Sequence, residues 1–191
     1  MSMRKGGWGL WWVMVGLICE PRLGAAIAEG PGLGIAATTA EIAARDLSVF
    51  PDGTGLPPGQ GDVETGKAVY QAQCAACHGP GGRGGSAEEL VGQGRLDGPT
   101  PDKTIGNYWP YATTVFDFIR RAMPLHKPGS LNNGDVYAVT AYLLYLNGLI
   151  PAETVLNVGN LPAIVMPNRK GFVSVWPMTR PGRDSVDGNR Q

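Results

Sequence analysis

The sequence predicts an all-α domain with extended segments at both ends, built around one prosthetic group. Three observations carry this. Apolar Val136, Val139, Leu143 and Leu146 recur at i, i+3, i+7 and i+10, one stripe of a helix. Asn132 can cap that helix with Asp135 at the favourable third position, and Gly148 closes it. The 29 Gly and 16 Pro among 191 residues leave room for only a few short helices, so the core needs help from a bound group. Finally, Cys74-Ala75-Ala76-Cys77-His78 reads C-x-x-C-H, the attachment signature for a c-type haem.

That motif has a chemical reason. Two thiols about one helical turn apart add across the two vinyl groups of one haem and become thioethers. The histidine directly after the second cysteine then ligates the iron through an imidazole nitrogen. A zinc knuckle would want two further Cys or His ligands at similar spacing, and the chain has none. A redox dithiol would want a βαβ context, whereas the sequence downstream is helical and rich in Gly and Pro. One motif and no internal repeat imply a single haem c, with Cys74 and Cys77 as its anchors and His78 as the proximal iron ligand.

Residues 1–28 read as a secretory signal peptide. Arg4 and Lys5 precede an apolar run from Trp8 to Ile18, and Ala26-Ile27-Ala28 supplies an A-x-A cleavage site. Two alternatives compete: an uncleaved anchor, and lipidation of Cys19, for which Ile18 is a poor preceding residue. Cleavage removes Cys19 and leaves Cys74 and Cys77 as the only thiols, with none spare for a disulfide. Export fits the cofactor and predicts a periplasmic protein. The whole chain balances 16 Lys+Arg against 16 Asp+Glu; losing Arg4, Lys5, Arg22 and Glu20 leaves a slight acidic excess. That charge does not point to nucleic acid or to an acidic membrane surface. No other stretch approaches membrane-spanning length.

Residues 29–60 form a strap. Thr38 and Glu41 have capping-box spacing for a short helix through Ala44, and turn signals follow at Pro51-Asp52-Gly53 and Pro57-Pro58-Gly59. The core domain spans 61–149. Its first helix is expected over 61–76, capped by Asp62, with Gly66 and Tyr70 on the face where a partner helix crosses. Gly79-Pro80-Gly81-Gly82-Arg83-Gly84-Gly85 lacks the Lys-Ser/Thr ending of a phosphate loop and follows no strand, so it reads as a loop wrapping the haem. The Pro80 carbonyl or a neighbour is expected to accept the His78 ring N–H. A helix over 111–122 follows, with Trp109 and Tyr111 as candidates to meet the haem propionates. Arg120 and Arg121 in its last turn read as solvated or partner-facing. After Pro151, residues 150–176 read as an extended arm that packs on its own domain or a partner, and 177–191 as a disordered tail.

The sixth iron position needs a donor. Met123 lies between two helices beside Pro124, where a short connection brings its thioether over the opposite haem face. Met166, also followed by proline, lies beyond the last helix; Met178 is in the tail; His126 sits in a loop beside Lys127. Met123 is the predicted distal ligand, with Met166, His126 or an open site as alternatives. Methionine ligation closes the iron to substrate and favours reversible one-electron transfer.

The order C-x-x-C-H, loops, helix, Met-Pro and a helix with Ala141-Tyr142-Leu143-Leu144 resembles the class I cytochromes c. A narrower likeness runs through 34–173. It includes Thr39-Ala40-Glu41-Ile42-Ala43, Pro51-Asp52-Gly53-Thr54-Gly55-Leu56-Pro57-Pro58-Gly59, Arg120-Arg121-Ala122-Met123-Pro124 and Met166-Pro167-Asn168-Arg169. The long run Lys103-Thr104-Ile105-Gly106-Asn107-Tyr108-Trp109-Pro110-Tyr111-Ala112-Thr113-Thr114 is its most specific part. These stretches resemble the cytochrome subunit, in its single-haem form, of the sulfane dehydrogenase of the Sox sulfur-oxidation system. The resemblance implies a partner: a molybdenum-cofactor subunit that oxidises sulfane sulfur and gives up electrons singly to the haem, from which they pass to an acceptor cytochrome. A sulfite-oxidising molybdoenzyme, or a haem peroxidase or thiosulfate-oxidising cytochrome with an open iron, are the alternatives.

Overall fold

The helix that the rest of the domain surrounds is α5, Asn133–Leu146. The structure, a computed structural model, describes residues 33–173. The signal segment, Met178 and the tail lie outside the described residues. The Asn132 side chain accepts the Asp135 N–H at 2.9 Å, and its amide donates to the Asp135 carboxylate at 2.6 Å. Gly148, at φ +70°, follows the helix as foreseen. Burial goes further than one stripe: every residue from Val136 to Leu144 is buried. Two of the polar members are satisfied internally. The Tyr137 hydroxyl donates to the Pro57 carbonyl at 3.0 Å, and the Thr140 hydroxyl to that of Val136 at 2.7 Å.

Helix α2, Val63–Gln73, is capped by Asp62, whose carboxylate accepts the Thr65 N–H at 2.7 Å. It crosses α5 at the residues expected. A Cβ on Gly66 would lie 1.9 Å from the Ala138 carbonyl oxygen, so only glycine permits this approach. One turn on, Tyr70 stacks at a tilt on Tyr142, ring centroids 5.4 Å apart. The expected 61–76 helix is interrupted. Cys74, at φ −122° and ψ −38°, breaks the regular turn, and a four-residue helix α3, Ala75–His78, carries on from it.

Two three-residue strands were not foreseen. Gln60–Asp62 (β1) pairs antiparallel with Val155–Asn157 (β2), Gly61 opposite Leu156. The pairing draws residues beyond Pro151 onto the domain. Leu156, Leu161 in the 3₁₀ turn Leu161–Ala163, and Met166 are all essentially inaccessible to solvent.

Helix α4, Ala112–Ala122, buries Val115, Phe116 and Ile119, with Phe116 against Tyr137 at 4.5 Å between ring centroids. Its buried Asp117 has two tasks. The carboxylate accepts the Val49 N–H at 2.9 Å and the Arg121 Nε–H at 3.0 Å. Arg120 donates to the Leu47 carbonyl at 3.1 Å, so both arginines contact this chain. Residues 47–49 are thereby held along α4. The short exposed helix α1, Thr39–Arg45, has the full Thr38–Glu41 capping box.

Asp117→Ala should destabilise the protein by about 1–3 kcal/mol, because it leaves the buried Val49 N–H without an acceptor. Asp117→Asn keeps a carbonyl oxygen there and should lose less. Urea unfolding of both variants measures the difference; equal losses would mean that the Val49 bond contributes nothing.

Candidate haem site

The site starts from α3, which ends in His78; free Cys74, half-buried, immediately precedes it and free Cys77, exposed, lies on it. The ring Nδ1 of His78 lies 2.8 Å from the Glu88 carbonyl oxygen. A carbonyl only accepts, so Nδ1 carries the proton and Nε2 keeps the lone pair that a metal needs. The acceptor is thus not Pro80 or a close neighbour but a residue well along the loop. The loop doubles back to deliver it. Gly79 turns at φ +78°, the Ala87 N–H donates to the Cys77 carbonyl at 2.8 Å, and the Leu90 N–H donates to that of Gly82 at 2.9 Å. From the other side, the buried Tyr70 hydroxyl donates to the Gly79 carbonyl at 2.8 Å.

The far end of the loop is tied down by Asn147, which is 1 % exposed. Its side-chain oxygen accepts the Gly92 N–H at 3.1 Å, and its amide donates to the carbonyls of Leu143 at 2.8 Å and Leu90 at 3.2 Å. Gln93 donates to the Asn147 carbonyl at 2.7 Å. Sequence reading passed over this residue, because an asparagine before a closing glycine looks like an ordinary helix end. Thr104, also buried, extends the tie by donating to the Gly92 carbonyl at 2.6 Å.

These segments enclose a cavity of about 740 Å³. Cys74, Cys77 and His78 line it together with Met123, and apolar Leu90, Ile105, Val115, Ile119 and Leu143 supply much of its wall. Residues far apart in sequence, the C-x-x-C-H turn and Met123, therefore share one space. His126 lines it too, so both loop donors named from sequence are present. Met166 is not on the wall; it is 1 % exposed in the hydrophobic core. Trp109 lines the cavity and meets the edge of Phe118 at 5.6 Å, whereas the Tyr111 ring lies under the Arg169 guanidinium at 5.2 Å.

The donor set fits a c-type haem: two thiols free for thioether bonds, an imidazole with Nε2 available, a soft thioether, and an apolar enclosure of ligand-binding size. Burial, with nearby Cys77 second, pushes the Cys74 thiol up to about 11. Among the described residues no group of three or more His, Cys, Asp or Glu is placed to hold a metal ion. Among them, too, no helix is long and apolar enough to cross a membrane.

Known proteins resemble this chain. Residues 61–143 match the family described as cytochrome C oxidase, cbb3-type, subunit III. The crystal structure of the sulfane dehydrogenase SoxCD from Paracoccus pantotrophus contains a similar chain. The two are 46% identical and superpose with a TM-score of 0.70, over 75% of this chain and 72% of that one. The thiosulfate dehydrogenase of Stutzerimonas stutzeri (strain A1501) is 37% identical over 90 residues, 46% of this chain. That match spans only 28% of the thiosulfate dehydrogenase's length.

Proposed function

The chain belongs to the Sox-type cytochrome c subunits, and from that premise we propose that it is a periplasmic mono-haem electron carrier. It accepts electrons one at a time from a molybdenum-cofactor subunit that oxidises sulfane sulfur, and passes them on towards the respiratory chain. The observation that carries this reading is the shared cavity of Cys74, Cys77, His78 and Met123 in a chain similar to one of sulfane dehydrogenase SoxCD. The thiosulfate dehydrogenase match is confined to under a third of that protein, so it supports the haem-bearing role without bringing that enzyme's substrate to this chain.

Each residue has a task in that role. Cys74 and Cys77, at adjoining helical segments, would hold the haem through thioether bonds. His78 would offer Nε2 to the iron, and the Glu88 carbonyl fixes its ring by accepting a hydrogen bond from Nδ1–H. Met123 would supply a thioether as a second donor to the iron. When bound, the haem supplies a reversible one-electron iron couple. The apolar wall excludes water, and the Asn147 and Thr104 bonds keep the loop in one conformation. Little has to move when the charge changes, which suits fast transfer.

The direct test mixes purified holoprotein anaerobically with the molybdenum subunit and a carrier-bound sulfane substrate, and follows reduction by visible absorbance. One electron per chain should appear, only when both subunit and substrate are present. Reduction at the same rate without the subunit would refute the proposed route.

A further inference from the structure

A haem carries two propionate carboxylates, and a largely apolar cavity must provide for that charge. The charged side chains lining the cavity are few. Glu88 and Glu89 belong to the segment whose carbonyl holds His78; they would repel a carboxylate. Lys103 is the one permanently cationic side chain among the described lining residues. It lies on a different segment, the 103–109 wall, which also contributes Tyr108 and Trp109.

That wall is built to hold its position. Beside Lys103, the buried Thr104 donates its N–H to the Asn107 side-chain oxygen at 2.9 Å and its hydroxyl to the Gly92 carbonyl at 2.6 Å. Asn107 in turn donates to the carbonyls of Gly94 and Asp102, both at 2.9 Å. The exposed Lys103 side chain places its ammonium over the Tyr108 ring, 5.3 Å from its centroid, an attraction that favours this position beside the cavity wall. Tyr108 is itself fixed, since Asn168 donates to its carbonyl at 2.7 Å and Phe172 meets its ring edge-on at 5.3 Å.

We propose that Lys103, steered by the face of Tyr108, is the counter-cation of the haem propionates and thereby sets the iron's potential. This rests on the haem reading above and goes beyond it by assigning the charge partner. The sign follows from electrostatics. A cation beside the propionates favours their ionised form and offsets their negative field at the iron. Without it the carboxylates hold their protons to higher pH, and at pH values where they are ionised the oxidised iron is favoured, so the potential falls.

The test uses holoprotein and optical redox titration across pH, at low and high salt, for the wild type, Lys103→Gln and Lys103→Arg. Haem content, measured first from the pyridine spectrum, must be the same in all three. The expected result is a lower potential in Lys103→Gln that survives high salt, with the inflection of potential against pH moved to higher pH. Lys103→Arg should restore both. An unmoved inflection, or a potential difference that vanishes with salt as for a screened surface charge, would overturn the assignment while leaving the haem reading intact. A wild type without covalent haem would overturn both.

Discussion

Gly66→Val should abolish the native domain, and Gly66→Ala should severely destabilise it. A Cβ at this position would meet the Ala138 carbonyl oxygen at 1.9 Å, its carbon at 2.5 Å and the Tyr142 Cβ at 2.9 Å. Two of these are backbone atoms of the central helix and the third is the stiff base of a side chain, so none yields by a rotamer change. The helices must separate. Overpacking of a core costs about 1–3 kcal/mol where side chains can adjust, and more where backbone must move. A domain of this kind has only about 5–15 kcal/mol in hand. Separation would also disturb the Tyr70–Tyr142 contact one turn away and the Tyr70 bond to Gly79, both next to the C-x-x-C-H turn. Covalent haem incorporation should therefore fall together with stability. Ala68→Val, on the exposed side of the same helix, is the comparison; it should cost only the helix-propensity difference, well under about 1 kcal/mol. Circular dichroism and haem-stained gels report both quantities. A Gly66→Ala protein as stable as Ala68→Val would show that the crossing is looser than the packing indicates.

The features legible in the sequence were those with a local signature. Gly66 stood out because a glycine inside a helix is costly without a reason, and the reason is Ala138. The caps at Asp62, Asn132 and Thr38 follow from side chains within three residues of their targets. What escaped was non-local or carried by backbone. No residue pattern marks the Glu88 carbonyl as the His78 partner, because every residue has a carbonyl and only the fold of the glycine loop selects this one. The β1–β2 pair is too short for any alternation to be read. Helix α5 looked one-sided because Tyr137 and Thr140 are polar by composition, yet each buries its hydroxyl on a carbonyl. No local pattern marks Asp117, and its acceptor role for Val49 appears only when residues 47–49 lie beside α4.

Met123→Ala and Met166→Ala should fail in opposite ways. Met123 lines the cavity that holds Cys74, Cys77 and His78, whereas Met166 is 1 % exposed in the core. If Met123 is the distal ligand, its loss removes the weak ferric charge-transfer band of methionine ligation and lowers the potential, since a thioether favours the reduced iron. It should cost less global stability, because Met123 is only partly buried. Met166→Ala should keep the band and the potential but lose about 2–5 kcal/mol of stability, the usual range for emptying a buried methionine site. His126 adds a branch, since it lines the same cavity three residues further along a loop. If it reaches the vacated position in Met123→Ala, the iron stays low-spin with two imidazoles, and Met123→Ala/His126→Ala becomes high-spin. If it does not, the single variant is already high-spin and gains a position open to small ligands such as cyanide. A charge-transfer band that persists in Met123→Ala would remove Met123 from the iron and assign the distal thioether to another methionine.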